Sequence, residues 1–346
     1  MSSRGGSLPV LSGVRMDLRG DDLTLTGSDL ELTIAVTTSV SGDGDGSAVI
    51  PARLATDIVR ALEEGKLELE VTDEEARITA SSGRSQFALR VMPVDEFPRL
   101  PEPPANTVTL AGAEFAAALR QVVPAASADD ARPILTGVLL AAEHDGLRLV
   151  ATDSYRLAVR DLPGTSVLSE GEHVLVPSKA LAELSRALGS ATEIVLHLGE
   201  RDASFEVGGT RLTTRLIEGE FPNYRGLIPS SYPNRLTVGR EPLLDAIRRV
   251  KLMAREATPV RLSMKADSLE LVAITQDVGQ AHEELDAKFE GTELTVAFNP
   301  EYLLNGVEVT TGDEVVLETV DALKPSVIRS TESSDFLYLL MPVRVS

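Results

Sequence analysis

Residues that could carry out chemistry are few in this sequence of 346 residues. The four histidines, His144, His173, His197 and His282, include no pair four positions apart, so the helical zinc pattern HExxH is absent. The sequence has no cysteine, which excludes thiolate catalysis, disulfides and cysteine-ligated zinc. It also has no GxxxxGK[ST] phosphate loop, no GxGxxG after a strand and no GxSxG nucleophile elbow. These absences argue against an enzyme, and we expect neither a metal nor a cofactor.

Carboxylates are the remaining candidates for chemistry. Asp43 and Asp45 in SGDGDGS resemble the start of a calcium loop, but no glutamate follows at the required spacing, which favours a flexible turn. Asp153 in ATDSYR ends a predicted strand, where it could act as an acid or base or could support a turn. The rest of the chain decides between these two roles.

The chain repeats itself with a period of about 124 residues. Asp29, Asp153 and Asp277 are each 124 positions apart, and each follows two alternating apolar runs. A block led by proline recurs downstream (SAVIPARLATDIVRAL, HVLVPSKALAELSRAL, TVAFNPEYLLNGV), and so does a closing block (FALRVMPVDEFPRL, LTTRLIEGEFPNY, FLYLLMPVRVS). Three blocks with one period indicate three homologous domains. We place them at residues 1–104, 105–232 and 233–346.

The pattern within a repeat predicts an α+β fold. Runs with a period of two, such as LRLVAT and LELVAI, are typical of strands, and the blocks led by proline are typical of helices that follow a strand. A further helix precedes the first block in repeats two and three (AEFAAALRQVV and EPLLDAIRRVKLMAREA), but only MSSRGGSL stands there in repeat one. We therefore expect antiparallel sheets with two helices per domain, and a first domain that lacks its first strand and helix, through a shortened chain or a misassigned start codon.

Two features depart from the repeat. Because the aspartate recurs in every repeat, turn support is the favoured role for Asp153, whereas the following Ser154-Tyr155-Arg156-Leu157 has no counterpart in the other repeats. The chain also ends on apolar residues, FLYLLMPVRVS, although termini are normally polar. A buried last strand is the favoured explanation, and an exposed apolar groove is the alternative.

The charge distribution narrows the function classes. The net charge of −20, from 33 basic and 53 acidic residues, argues against a protein that grips DNA with its whole surface, but leaves room for a local basic stripe or for topological enclosure. Basic residues such as Arg248, Arg249, Lys251 and Arg255 are enriched in the predicted helices, either as solvated faces or as a surface facing something anionic. Aromatic residues make up only 4% with no tryptophan, which disfavours stacking on single-stranded nucleic acid. No membrane span and no signal peptide are recognisable, so we expect a cytoplasmic protein.

Several motifs together resemble one known family. ARPILTGVLL, LRLVATDSYRLAVRDLPG, EGEFPNYRGLIP and YLLMPVRV, in this order, are similar to those of the bacterial sliding clamp, the beta subunit of DNA polymerase III, most of all to its actinobacterial form. The resemblance covers almost the whole chain. It implies a head-to-tail homodimeric ring in which helices line a central hole around duplex DNA and sheets face outward. It implies no intrinsic catalysis. A DNA-directed DNA polymerase (nucleotidyltransferase) activity would belong to the whole DNA polymerase III, of which the chain would be a subunit.

The resemblance also implies partners and sites. The expected partners are double-stranded DNA, held by topology and without sequence preference, and the DNA polymerase III alpha subunit, the clamp loader and repair polymerases, which bind through short peptides containing glutamine and apolar or aromatic anchors. The implied peptide groove consists of Leu135, Thr152, Ser154, Tyr155, Arg156, Leu157, Pro222, Leu227, Ser326, Leu339, Leu340, Met341, Pro342, Val343 and Arg344. The implied DNA-facing residues are Arg4, Arg132, Arg248 and Arg249, and the implied dimer contacts are Phe87, Leu89, Met253 and Ala254. Gly226 departs from the family at a position where a longer side chain is common, so one rim of the groove should be wider.

Two other functions stay open at this point. One is a clamp paralogue with a non-replicative role, such as inhibitor resistance or a decoy, which would differ in binding polymerase peptides and in being loaded onto DNA. The other is an enzyme with an unrecognised acidic site, which a turnover assay would reveal.

Overall fold

Alternating apolar residues form the strands of this protein, and the order of the elements follows the sequence repeat. The computed structural model describes residues 8–81, 84–98, 107–143, 145–254, 258–276 and 278–344. The first repeat contributes, in chain order, β1 (Gly13–Arg19), β2 (Asp22–Ser28), β3 (Leu32–Ser39), β4 (Gly46–Pro51), α1 (Ala52–Ala61), β5 (Leu67–Val71), β6 (Glu75–Ala80) and β7 (Gln86–Arg90).

The second and third repeats each add one strand and one helix before this series. The second comprises β8 (Thr107–Ala111), α2 (Gly112–Val122), β9 (Gly137–Glu143), β10 (Gly146–Thr152), β11 (Arg156–Pro163), β12 (His173–Pro177), α3 (Ser178–Leu188), β13 (Glu193–Leu198), β14 (Asp202–Val207) and β15 (Thr210–Arg215). The third comprises β16 (Asn234–Gly239), α4 (Arg240–Lys251), β17 (Val260–Lys265), β18 (Ser268–Thr275), β19 (Gly279–Glu290), β20 (Leu294–Phe298), α5 (Pro300–Val309), β21 (Glu314–Thr319), β22 (Ser326–Ser330) and β23 (Phe336–Leu340). Among the described residues, a four-residue 3-10 helix (Pro9–Ser12) precedes β1 and no α-helix does, and residues 1–7 lie outside that range.

The sheets are antiparallel and combine strands from neighbouring repeats. One unit of the chain, Met1–Ala111 with Ala187–Leu216, contains an eight-stranded sheet in the order β4-β1-β2-β3-β15-β14-β13-β8 and a three-stranded sheet in the order β5-β6-β7. The other unit, Gly112–Arg186 with Ile217–Ser346, contains a twelve-stranded sheet in the order β12-β9-β10-β11-β23-β22-β21-β16-β19-β18-β17-β20. These units group strands by sheet rather than by repeat, and the domain boundaries given by the sequence stay predictions.

The helices that begin the second and third repeats cover their sheets with the same apolar stripe. α2 packs against β10 and β11, and α4 packs against β18, β19 and α5. The stripe of α2 is Phe115, Leu119 and Val122, and the stripe of α4 is Leu243, Ile247 and Val250. Each stripe follows the spacing i, i+4, i+7 of one helix face, and its side chains are at most 4% exposed.

Helix starts follow the proline-led blocks. α5 begins at Pro300, and the side chain of Asn299 caps it by accepting hydrogen bonds from two backbone amides. α1 and α3 begin one residue after Pro51 and Pro177, which end the preceding strands. Within the described ranges, no helix has the length and apolar composition needed to span a membrane.

Candidate functional site

The turn between β10 and β11 is organised by Asp153. Its Oδ1 accepts hydrogen bonds from the backbone amides of Tyr155 (2.9 Å) and Arg156 (3.0 Å), and Ser154 between them has φ of +81°. The hydroxyl of Thr152 donates to the carbonyl oxygen of Arg156 at 2.7 Å. Asp153 thus satisfies the amides of a tight turn, which confirms the turn-supporting role that the repeat favours.

The first repeat has the same turn. Asp29 Oδ1 accepts from the amides of Glu31 (3.1 Å) and Leu32 (2.8 Å), and Leu30 has φ of +77°. The left-handed residue therefore belongs to the repeated turn and is not a mark of chemistry at Ser154. Asp277 of the third repeat lies outside the described residues.

The second turn has an arginine, Arg156, that the first turn lacks. Arg156 Nε donates to Asp153 Oδ2 at 3.0 Å, and the two side chains are 12% and 10% exposed. The guanidinium also lies 4.3 Å from the centroid of the Tyr302 ring, within reach of a cation–π interaction. Burial lowers the pKa of Arg156, but the neighbouring Tyr338 and Asp153 more than offset this effect, so that its pKa lies above the usual value.

Tyrosines from the third repeat complete this cluster. The Tyr338 hydroxyl donates to the backbone oxygen of Tyr302 at 3.0 Å, and the Tyr155 and Tyr302 rings stack with centroids 6.5 Å apart. A Cβ added at Gly306 of α5 would lie 2.5 Å from the Tyr338 ring, so glycine allows this close approach. Burial raises the pKa of the Tyr338 hydroxyl to about 12.

The two non-repeating features of the sequence lie side by side in one sheet. β11 pairs with β23, with Arg156 opposite Leu340 and Leu157 opposite Leu339, and Ser326 of β22 is also opposite Leu340. Beyond the strand, the Met341 amide donates to the Tyr155 carbonyl oxygen at 2.9 Å. All residues of β23 are buried, as expected for a buried last strand, whereas Val343 after it is 37% exposed.

Neighbouring residues of these strands face opposite sides of the sheet. On one side, Leu157, Leu339 and Val327 are buried in an apolar cluster on which Met341 and Phe221 pack as partly buried residues. On the other side are Arg156 and the tyrosines of α5 and β23. Most of the charge of Arg156 is therefore used within the protein, and the partly buried Met341 and Phe221 supply the surface that an apolar anchor could contact.

The remaining residues of the implied groove differ in exposure. Leu135 and Thr152 are buried, Pro342 is partly buried, and Ser154, Pro222 and Arg344 are exposed. Tyr155 and Leu227 are 59% and 48% exposed, so both side chains are available for contact. No atom lies within 4 Å of a Cβ placed at Gly226, so that the glycine leaves open space there.

Sequence reasoning missed Tyr302, although a signal was present. Relative to the repeated prolines, Tyr302 occupies the position of Arg53 and Lys179, so it departs from the repeat as clearly as Tyr155 does. Tyr338 lies in the recognised terminal motif, but no pattern in the sequence places its hydroxyl on α5.

The arginines implied to face DNA all have carboxylate partners where the structure describes them. Arg132 donates to Asp129 at 2.9 Å and Arg249 binds Glu283 at 2.7 and 3.0 Å. Arg248 lies 3.2 Å from Glu308 and 3.4 Å from Asp245. The hydrogen bonds from Arg249 lower the pKa of Glu283 below its usual value. Arg4 and Arg255 lie outside the described residues.

The implied dimer contacts lie at an open strand edge and after α4. Phe87 and Leu89 belong to β7, which is an edge of the three-stranded sheet, and are 37% and 5% exposed. Met253 and Ala254 follow α4 and are partly exposed, beside Leu252, which is 81% exposed. In the parts of the chain that the structure describes, no group of three or more histidine or carboxylate side chains could hold a metal ion.

Comparison with solved structures identifies the fold class of this chain, and comparison with related sequences then identifies its family. In solved structures the chain resembles a DnaN sliding clamp from Bartonella birtlesii bound to griselimycin (TM-score 0.93, 31% identity, 99% of this chain and 94% of that chain). It also resembles the DNA polymerase sliding clamp from Bacillus subtilis (TM-score 0.91, 31% identity, 100% and 94%). The fold is therefore that of the three-domain sliding clamps, as the sequence predicts.

Sequence relatives give the family. Models of the DNA polymerase III beta subunit match at residues 3–101 for the N-terminal domain, 109–223 for the central domain and 225–344 for the C-terminal domain. The beta sliding clamp of Streptomyces coelicolor is 36% identical over 98% of this chain and 93% of its own length, and that of Staphylococcus aureus is 32% identical over the same shares. The chain belongs to the DNA polymerase III beta subunit family, the beta sliding clamps, which are non-catalytic processivity factors of DNA replication. The clamp prediction is confirmed over the paralogue alternative.

Proposed function

We propose that this protein encircles duplex DNA as a homodimer and tethers partner enzymes through a peptide groove formed where β11 meets β23. The direct pairing of these strands carries the proposal, because it brings the SYRL segment and the apolar terminus, the two departures from the repeat, into one surface. Leu157, Leu339 and Met341 share one face there, with exposed Leu227 and Pro222 in the same unit of the chain. An apolar surface of this kind favours a peptide with apolar anchors, and polar groups at its edge would fix the register.

A fluorescent peptide containing a glutamine and apolar anchors tests the groove. We expect Met341→Ala to weaken its binding by about 1–3 kcal/mol, since anchor contacts dominate such interfaces. Leu323→Ala is the matched control, because Leu323 is 64% exposed in the same unit and outside the groove. Unchanged peptide affinity of Met341→Ala would refute the groove.

Arg156→Ala tests the other part of the proposed site. Because Arg156 holds the turn that carries Tyr155, its loss should weaken peptide binding through Tyr155, whether or not the guanidinium also contacts a peptide carbonyl or carboxylate. Peptide titration and a melting curve for the same variant separate lost binding from lost folding. If both variants bind like the wild type, the apolar terminus serves only as a buried strand.

The charge distribution of the chain is consistent with enclosure of DNA. The chain has a net charge of −20, and the described arginines implied to face DNA already bind carboxylates, so these arginines are poorly placed to grip phosphates tightly. After loading, the protein should stay on closed circular duplex and slide off the same DNA once it is linearised. Equal retention on both forms would contradict enclosure.

The strand order supports a head-to-tail dimer. The strand that follows the aspartate turn of a repeat pairs with the last strand of the next repeat, at β3–β15 and again at β11–β23. By the same rule, the first half of β19 would pair with the edge strand β7 of a second copy of the chain. Basic Arg90 of β7 would then meet Glu284 and Asp286 of β19, and charges of opposite sign favour such an edge pairing.

Sedimentation tests the dimer. Phe87→Glu should weaken it, whereas Val71→Glu on the opposite edge strand of the same sheet, with a similar 41% exposure, should not. Because apolar side chains of the first repeat such as Val36 and Val59 are 39% and 44% exposed, we expect loose packing of this repeat and a dimer that dissociates at low micromolar concentration. A tight dimer at nanomolar concentration would contradict this expectation.

We further propose the DNA polymerase III alpha subunit, the clamp loader and repair polymerases as partners, and the cytoplasm as location. The family membership supports both, and pull-down with a groove-directed peptide as competitor tests the partners.

A further inference from the structure

A polar pocket of about 320 Å³ lies beside the proposed peptide groove, further along the same two strands. Val159 of β11 and Leu337 of β23 line this pocket, and they pair with each other two positions from the pair Leu157 and Leu339. All four side chains belong to one apolar cluster, so they share one side of the sheet. Because a strand advances about 3.3 Å per residue, the pocket begins roughly 7 Å from the groove. An extended peptide in the groove would reach it with a residue about two positions outside its anchors.

Three arginines from separate parts of the sequence converge on this pocket. They are Arg148 of β10, Arg329 of β22 and Arg225 of the 3-10 helix Arg225–Leu227, which also carries the groove residue Leu227. In a chain with 33 basic and 53 acidic residues, three arginines around one small pocket are a local exception. The planar guanidinium group matches the geometry of a carboxylate, so this concentration favours an anionic ligand.

The two aspartates that line the pocket are already engaged. Asp161 accepts two hydrogen bonds from Arg148, from Nε at 2.6 Å and from Nη2 at 2.9 Å. These bonds raise the pKa of Arg148 above its usual value, so the arginine stays charged. Asp335 accepts from the Ser333 hydroxyl at 3.1 Å and lies 3.9 Å from Arg160. A cationic ligand would therefore have to compete with the protein's own arginines for these carboxylates.

Hydrogen-bond donors at the pocket are still available. Arg225 and Arg329 each donate to one glutamate through a single nitrogen, and a guanidinium group has five N–H donors. The Tyr224 side chain is 6% exposed, and no described group forms a hydrogen bond of standard geometry with its buried hydroxyl, although this hydroxyl helps to raise the pKa of Arg148. Donors that lack an acceptor favour a ligand that brings one.

We propose that this pocket is a second subsite of the peptide groove and binds a carboxylate of the partner peptide, supplied by an aspartate or glutamate two positions outside the apolar anchors. Arg225 and Arg329 donate to this carboxylate beside the Tyr224 hydroxyl. The proposal rests on the groove proposed above. It also runs against the overall charge, because a net charge of −20 repels an acidic peptide unless a local site receives its carboxylate.

Four fluorescent peptides with the same glutamine and apolar anchors test the subsite. They carry aspartate or its isostere asparagine, either two positions before the first anchor or two positions after the last. The full chain should bind one aspartate peptide at least fivefold more tightly than its asparagine counterpart, and added salt should reduce this difference because it screens charges. If neither aspartate peptide binds more tightly than its counterpart, the subsite is overturned and the groove stands. If none of the four peptides binds, the groove is overturned as well.

Two arginine variants locate the carboxylate. Arg225→Gln and Arg329→Gln should each reduce the advantage of the aspartate peptide at least threefold and leave the affinity of the asparagine peptide unchanged. Arg261→Gln is the matched control, because Arg261 is exposed on β17 in the same unit and does not line the pocket. Arg225 is itself 61% exposed, so its replacement should not disturb folding, and melting curves verify this for each variant. An aspartate advantage that persists in both pocket variants overturns the site.

Discussion

The hairpins β2–β3 and β10–β11 have the same backbone and different surroundings. Ser28 pairs with Thr33 and Thr152 with Leu157, so each turn contains four residues with an aspartate first and a left-handed residue second. The second hairpin is covered by α2, with Arg156 at its end, whereas the first borders an open groove and has Leu32 at the corresponding position.

The comparison separates the properties that the repeats share from the properties that differ between them. Turn geometry and strand register are shared, because both depend on local hydrogen bonds that the aspartate and the backbone supply. Burial is not shared, since it depends on helices and strands from elsewhere in the chain. The same residue type at equivalent positions should therefore contribute differently to stability.

The largest expected difference concerns the leucines of the equivalent strands β2 and β10. Leu149→Ala should lower the free energy of unfolding by about 4 kcal/mol, because it leaves a cavity in a closed core. Leu25→Ala should lower it by only about 1 kcal/mol, because this side chain is already partly exposed to water. Hydrogen exchange of the amides of each hairpin measures both values, and equal losses would show that the first groove is closed in solution.

A smaller difference is expected at the turns. Asp153→Ala should lower stability by about 3 kcal/mol, because it leaves the nearly buried Arg156 without its partner. Asp29→Ala removes only turn hydrogen bonds and should lower stability by about 1 kcal/mol. Denaturant unfolding compares the two variants. Adding Arg156→Met to Asp153→Ala should recover most of the loss, and failure to recover would show that the buried charge is not the cause.

The smallest expected effect depends on pH. The pKa of Tyr338 is about 12 in the folded protein, against about 10 when unfolded, so the folded state binds the proton more tightly. Its contribution to stability is fully present below pH 10 and is lost as the pH rises through 12. Urea unfolding between pH 9 and 12 should show this slope in the wild type and a shallower one in Tyr338→Phe. Parallel slopes would contradict the assignment, and the first hairpin, which has no tyrosine, should lack the effect.

The local parts of this structure could be predicted from the sequence. The period of about 124 residues gave the three repeats, and the recurrence of Asp29 and Asp153 correctly favoured turn support over catalysis. These predictions succeed because hairpin turns and helix stripes depend on residues that are close in the sequence.

The candidate site could be predicted only in part. The departures at Tyr155 and Arg156 marked the right hairpin, but the contact of Arg156 with Tyr302 joins residues 146 positions apart and has no local pattern. The sequence also could not show that Arg156 and Leu157, adjacent in a strand, would face opposite sides of the sheet with different roles. Such assignments need the pairing partner of the strand, which is a tertiary property.

The position of β23 has a consequence for biosynthesis. This strand is made later than β11, yet it lies in the interior of the twelve-stranded sheet and pairs with residues of β11 that are 176 to 184 positions earlier. While the chain is still on the ribosome, β11 therefore exposes an unpaired edge, which is a hazard for aggregation. The surface proposed to bind partners includes β23, so that a chain in which β23 has not yet been made would not compete with folded molecules for the polymerase.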